Sequence, residues 1–231
     1  MATSINEFRL KLAPSTFYNF SINWGDGTSE IFNQTTSSSE DLAGLTHTYV
    51  SPSAYEVSIT ENVSGGFSRI YFNGTSNTSL SNDDVKVTDI IQWGNPTWTS
   101  MIDAFEGCSN LSAISTDDET SALSGVSNFS NAWNNCTSLT SFPLIDTSKG
   151  TIFNSAWNNC NKLKDFPAIN TLSATSFEST WANCTSLSSF PLINFTKVTT
   201  PYFTWSGCTS LTSFPLIDTS NCTQLGLCRL S

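Results

Sequence analysis

The apolar positions of residues 101–231 return at a fixed interval, and the interval predicts the elements. Tryptophans stand at Trp133, Trp157, Trp181 and Trp205, and cysteines at Cys136, Cys160, Cys184 and Cys208, both sets stepping by 24 residues. Phe105 and Cys108 open the series with a first step of 28. Leucines follow at Leu111, Leu139, Leu163, Leu187 and Leu211, and Phe-Pro returns at 142–143, 166–167, 190–191 and 214–215. A constant period of this length requires a stacked array, because one unit cannot bury its apolar face alone and buries it on its neighbours.

Inside one unit, Phe153, Trp157, Cys160 and Leu163 step by four, three and three. That spacing predicts one inward side of a short helix or helical turn. Two residues after each aromatic stands Gly107, Asn135, Asn159, Asn183 or Gly207. Glycine and asparagine enter the left-handed region most easily, so this column predicts a helix C-cap. The following stretch, Leu139-Thr-Ser-Phe142-Pro143-Leu-Ile145, predicts a short strand that ends near its proline, since proline cannot donate to a ladder.

The repeated text NAWNNCTSLTSFPLIDTS resembles the BspA-like leucine-rich repeats of bacterial, protist and phage surface proteins, over roughly residues 101–224. The resemblance implies a solenoid of about five coils. Tryptophan stands where many such repeats carry phenylalanine, and Phe105 keeps the commoner residue.

Residues 1–72 lack the period. Phe8-Arg-Leu-Lys-Leu12 alternates as a strand, and Phe17 to Trp24 reads as a second. Trp24-Gly25-Asp26-Gly27-Thr28 is a tight acidic turn that closes a hairpin. Glu30-Ile-Phe32 follows, then a polar loop, then His47-Thr-Tyr49 and Tyr55-Glu-Val-Ser-Ile59. The WGDGT turn with a later HTY before a Y-x-V strand resembles the PKD domain. That resemblance implies an immunoglobulin-like β-sandwich, of a kind that mostly serves as a spacer or protein-binding module. Ser53-Ala54 departs from the glycine often found before the tyrosine. For the lone His47 the expected role is a hydrogen bond tying the loop to the sheet.

Residues 73–100 join the two parts without a Gly/Ser-rich or Pro-rich linker. Val85, Val87 and Ile90-Ile91 predict strands that cap the front of the array. The expected fold class is therefore mainly β with short helices: a PKD-like sandwich over 1–72, a connecting and capping segment over 73–100, and a leucine-rich-repeat solenoid over 101–231 with a period of 24.

Composition narrows the function. The formal net charge is -10, with 9 Lys plus Arg and one His, which excludes the basic patches that bind nucleic acid or anionic membranes. Charged residues make up 12 %, and Ser, Thr and Asn dominate the polar set, a surface suited to an extracellular or virion protein. No run reaches the length of a membrane span, and no basic start followed by an apolar block marks a signal peptide. The expected localisation is an extracellular surface or a virion, reached after processing or by virion assembly and lysis.

Five of the 7 cysteines hold one repeated position and are expected as a buried column. Pairing between adjacent coils would leave one thiol over. Cys222 and Cys228, outside the column, are the better disulfide candidates. The four extra residues of the first repeat fall near Asp117, Asp118 and Glu119. This loop and the Asp26 turn are weak calcium candidates, with a solvated acidic loop as the commoner case. No zinc pattern, phosphate loop, nucleophile elbow or HExxH is present, so the chain is expected to be no enzyme and to carry no cofactor. Asp146, Asn170, Asn194 and Asp218 fall in equivalent turns, where Asp and Asn both bond the backbone ahead. Eleven Asn-x-Ser/Thr sequons, among them Asn19, Asn62, Asn73, Asn135 and Asn194, matter only in a host that glycosylates.

Beyond Ile217-Asp-Thr-Ser-Asn a further coil begins without reaching an aromatic and a cysteine. Either Cys222 to Leu230 folds back as a cap or another subunit covers the edge. Two functions remain open at this point. One is a recognition or adhesion module, as on a bacterial cell surface, binding a host surface protein or glycan. The other is a structural virion component such as a tail-fibre or capsid-decoration protein, partnered by other subunits.

Overall fold

The computed structural model describes residues 6–37, 44–72, 83–94, 97–115 and 122–222. Over them the chain is mainly β, with almost no helix.

The first part holds two antiparallel sheets. Strand β1 (Glu7–Lys11) pairs with β4 (Gly44–Thr48), from Glu7 opposite Thr48 to Lys11 opposite Gly44. Strand β2 (Phe17–Asn23) is central in the second sheet, between β3 (Ser29–Thr35) and β5 (Ser58–Glu61). Alternation along β2 sends Tyr18, Phe20 and Ile22 inward, as a strand with one buried face requires. There Tyr18 and Phe20 meet Phe32 and Phe67 edge-on, tilted or stacked, at ring separations of 5.0 to 6.4 Å. Residues 24–28 close the β2–β3 hairpin, where the Trp24 amide donates to the Thr28 carbonyl at 3.1 Å.

In the periodic part, the expected helices do not form. The amides of Ala156, Asn158, Cys160 and Leu163 close tight turns onto the carbonyls three residues back. The amides between them leave the unit: Ser155, Trp157 and Asn159 donate to Glu178, Thr180 and Ala182 at 2.8, 2.9 and 2.8 Å. A helix needs each of those donors for its own carbonyls four residues back. Donation to the next unit therefore excludes it, while keeping Phe153, Trp157, Cys160 and Leu163 on one inward side.

The expected strand shrinks in the same way to single parallel pairings, Ser141 with Asp165 and Ser189 with Ser213. Each ends at the residue before Phe-Pro, where the ladder loses a donor. A second line of parallel pairings runs through Asn128, Ile152, Ser176 and Thr200. Each step in both lines is 24 residues.

The joining segment contains a unit that the cysteine-aromatic pattern did not mark. Strand β6 (Asp89–Ile90) pairs in parallel with β7 (Ala113–Ile114), a 24-residue offset, and Ser112 donates to the Thr88 carbonyl. Phe72 stands in the aromatic column: its amide donates to Ala104, as Phe105 donates to Ala132, and its ring stacks on Phe105 at 6.1 Å. Val85 lies in a single 3-10 turn, Asp84–Lys86, instead of the expected strand. The buried side chains of the first part, the joining segment and the periodic part form one continuous core.

Candidate functional site

At the β2–β3 turn, two glycines with φ of 83° and 93° let the chain reverse around Asp26. A Cβ on Gly25 would come within 2.5 Å of the Glu56 carbonyl oxygen, so the close approach of that loop also requires glycine. Asp26 accepts from the Thr28 hydroxyl at 2.6 Å and the Thr28 amide at 3.0 Å, and meets His47 Nε2 at 2.8 Å. The Thr28 bond, then His47, hold the Asp26 carboxyl down at about 2. The His47 ring lies flat on Trp24 at 4.9 Å, and the Tyr49 hydroxyl donates to the Trp24 carbonyl. Tyr55 stacks on Tyr49 at 4.0 Å. The Thr28 hydroxyl donates to Asp26 and also lies 3.5 Å from His47 Nε2, so the three side chains form one cluster. What the cluster does is bind the hairpin turn to the opposite sheet.

In the periodic part the inward residues form ladders, three of which are tryptophan, phenylalanine and cysteine. Trp133, Trp157, Trp181 and Trp205 stack near-parallel at 5.4, 5.6 and 5.9 Å. Phe142, Phe166, Phe190 and Phe214 stand almost perpendicular to them at 4.7 to 4.8 Å. The four indole N–H groups are buried without a hydrogen-bond acceptor.

The thiols have a bond of their own: Cys136, Cys160, Cys184 and Cys208 each donate Sγ–H to the carbonyl of the aromatic one unit earlier, at 3.1 to 3.2 Å. Those aromatics are Phe105, Trp133, Trp157 and Trp181. Cysteine at this position thus adds a second donor to a carbonyl that already accepts a backbone amide, while filling the volume of a small apolar side chain. Burial pushes the thiols up, Cys160 to about 12 and Cys208 to about 11, so they stay protonated near neutral pH. Cys222 is also a free thiol, donating to the Val198 carbonyl, and is not bridged; its candidate partner Cys228 lies outside the described residues.

The Gly107, Asn135, Asn159, Asn183 and Gly207 column has φ between 60° and 79° throughout, as those residue types suggest, although it caps turns rather than helices. A second left-handed column, Asp103, Asn131, Ser155, Ser179 and Phe203, was not anticipated. Its signal was available in the run of Asp, Asn and Ser at one phase of the repeat. Phe203 alone breaks that run, and it is a bulky residue held at φ 54°. Asp146, Asn170, Asn194 and Asp218 each accept the amide two residues ahead at 2.8 to 3.1 Å, the turn chemistry expected of them.

Among the described residues the outward positions carry no concentrated chemistry. Thr140-Ser141, Lys164-Asp165, Ser188-Ser189 and Thr212-Ser213 form four exposed rows along one face. Beside them Leu144, Ala168, Leu192 and Leu216 make an exposed ridge, each following the proline of its unit. Among the described residues no three His, Cys, Asp or Glu side chains gather as a metal site. Asp117, Asp118 and Glu119 lie outside the described residues. Among those residues no helix is long and apolar enough to cross a membrane. Comparison with family models, curated proteins and solved structures gives no match.

Proposed function

We propose that this chain is a non-enzymatic, surface-displayed recognition protein, built as a PKD-like β-sandwich packed on a leucine-rich-repeat solenoid, and that it serves as a virion component, a tail-fibre or capsid-decoration protein. The observation that carries the reading is the exposed face of Thr and Ser rows, with Lys164-Asp165 in one of them, beside the ridge of Leu144, Ala168, Leu192 and Leu216, held in register by inter-unit backbone bonds. A rigid surface of hydroxyls with an apolar border suits contact with a glycan or a protein, since ordering it costs little entropy on binding. A non-enzymatic reading is supported by the burial of the column thiols and by the use of Asp26, Thr28 and His47 in tying the hairpin turn to the opposite sheet.

The support for the fold reading is the two antiparallel sheets and the 24-residue offset of both bridge lines. Mass spectrometry of purified particles is the test. Finding the chain in virions supports the proposal, whereas finding it only in a cell-envelope fraction replaces it with a cell-surface adhesin. A glycan array then separates recognition from a purely structural subunit: binding abolished by Ser188→Arg supports recognition, and no binding to glycan or host surface protein leaves a scaffold.

A further inference from the structure

The step from the first periodic unit to the second differs from the later ones in length and in what its side chains carry. Its backbone is joined as elsewhere: Asp103, Phe105 and Gly107 donate to Ser130, Ala132 and Asn134 at 3.0, 2.8 and 2.8 Å. Beside those bonds, two carboxyl groups of the first unit each take an amide of the second. Asn131 Nδ2 donates to Asp103 and Asn134 Nδ2 to Glu106, both at 2.9 Å. The later units hold Asn134, Asn158, Ala182 and Ser206 in the phase of Glu106, so only this joint carries an acid there.

Glu106 is 4 % exposed, a rare state for a carboxyl without a cation. The ion pairs among the described residues join His47 with Asp26 and Lys86 with Asp83, so neither neutralises it. Residues 73–82 and 116–121, outside the described residues, contain no lysine, arginine or histidine. The titratable groups that face Glu106 are Asp103 on its own unit and Cys136, a buried thiol, on the next. Burial pushes the Glu106 carboxyl above its ordinary 4.5; the Asn134 bond works against this and the like charge of Asp103 with it.

Asn134 supplies an independent observation. Its Oδ1 is buried without a hydrogen-bond partner, on the same amide whose Nδ2 bonds Glu106. A buried acceptor left in this state costs free energy. An ionised carboxyl cannot relieve it, because it only accepts, whereas a protonated one carries an O–H donor. A carboxylic acid closes on a primary amide by two bonds, its carbonyl oxygen taking the N–H while its O–H gives to the amide oxygen. The bond from Asn134 Nδ2 is the first of those two.

We propose that Glu106 and Asn134 form a proton-dependent clasp between the first two units, in which the neutral carboxyl accepts from Nδ2 and donates its O–H to the buried Oδ1. Loss of that proton to solvent removes the second bond and leaves a buried negative charge beside Asp103. The sign follows from the raised titration: this stabilisation is complete below 4.5 and is lost as pH rises through the folded value. The joint at the foot of the array is therefore tight in mild acid and looser above it, a response that Asn158, Ala182 and Ser206 cannot give at theirs.

Two measurements on the intact chain test this. Carbon-13 NMR of the glutamate carboxyls, with Glu106 assigned through its own backbone resonances, should show a Glu106 midpoint above 4.5. Hydrogen exchange, corrected for intrinsic rates, is read from about pH 4.5 to about pH 8. The Phe105 and Gly107 amides should lose protection as pH rises through that range, while Trp181 and Asn183, at a joint without an acid in this phase, keep theirs. Glu106→Gln offers an N–H to Oδ1 at every pH and should hold the low-pH protection throughout. If that variant does not fold, the midpoint and the profile of the unaltered chain decide alone. A Glu106 midpoint at or below 4.5 overturns the proposal, as does Gly107 protection that is flat with pH or declines equally in Glu106→Gln.

Discussion

Lys11 donates its Nζ to the Phe72 carbonyl at 3.0 Å. In the units above, the carbonyl of the aromatic is taken by a cysteine thiol of the next unit. At the base of the stack an ammonium from β1 supplies a donor to that carbonyl, so the N-terminal sheet pair caps the first unit by chemistry as well as by cover. Lys11→Met keeps the aliphatic stem and removes the donor. It should cost about 1–3 kcal/mol, as for a partly buried acceptor left without its charged partner, read from the midpoint of urea unfolding with an unchanged slope. No shift in midpoint would mean that packing alone caps the stack.

The tryptophan column carries the burial. Trp157 is fully buried between Trp133 and Trp181, with Phe166 against its edge. Trp157→Ala should lose about 3–5 kcal/mol. Thr140→Ala, on the exposed row, should stay within about 0.5 kcal/mol of the parent. Equal tolerance in thermal unfolding would contradict the inward stack.

Backbone strain distinguishes Phe203 from its column. Phe203→Asn places a residue that tolerates φ 54° where a bulky exposed one stands. It should raise stability by up to about 1 kcal/mol. Asn159→Ala at φ 61° should lower it by about 1 kcal/mol, and Asn159→Gly should be milder. Chemical denaturation of the three variants checks the signs, and a destabilised Phe203→Asn would show that the ring is held by contacts worth more than the strain.

The pH dependence has two further windows. Asp26 titrates at about 2 in the fold against an ordinary 3.8, so its stabilisation is complete above the ordinary value and is lost as pH falls from there toward 2. Asp26→Asn should flatten that limb of the stability curve. The column thiols are shifted the other way, Cys160 to about 12 against 9.0, so the neutral form is favoured. Stability from that source is complete below 9.0 and declines as pH rises toward the folded value. Cys160→Ala should reduce the alkaline decline in a circular-dichroism titration, and the five column thiols should resist alkylation at neutral pH until the chain unfolds.

From the sequence alone, the 24-residue period, the inward tryptophan, cysteine and leucine columns and the left-handed Asn/Gly phase were legible, because each depends on residue type at one repeated position. The hairpin around Asp26 was legible for the same local reason: two glycines bracket an acid between alternating strands. The expected short helix was not met, because the four-three-three spacing reports which side is inward and says nothing of where amides donate. That is decided only when Glu178, Thr180 and Ala182 bring their carbonyls beside Ser155, Trp157 and Asn159. The thiol bonds, the Phe72 unit and the Lys11 cap were likewise beyond the sequence. Each joins residues 24 or more positions apart through contacts that exist only once the units are stacked, and only the tertiary structure sets that spacing.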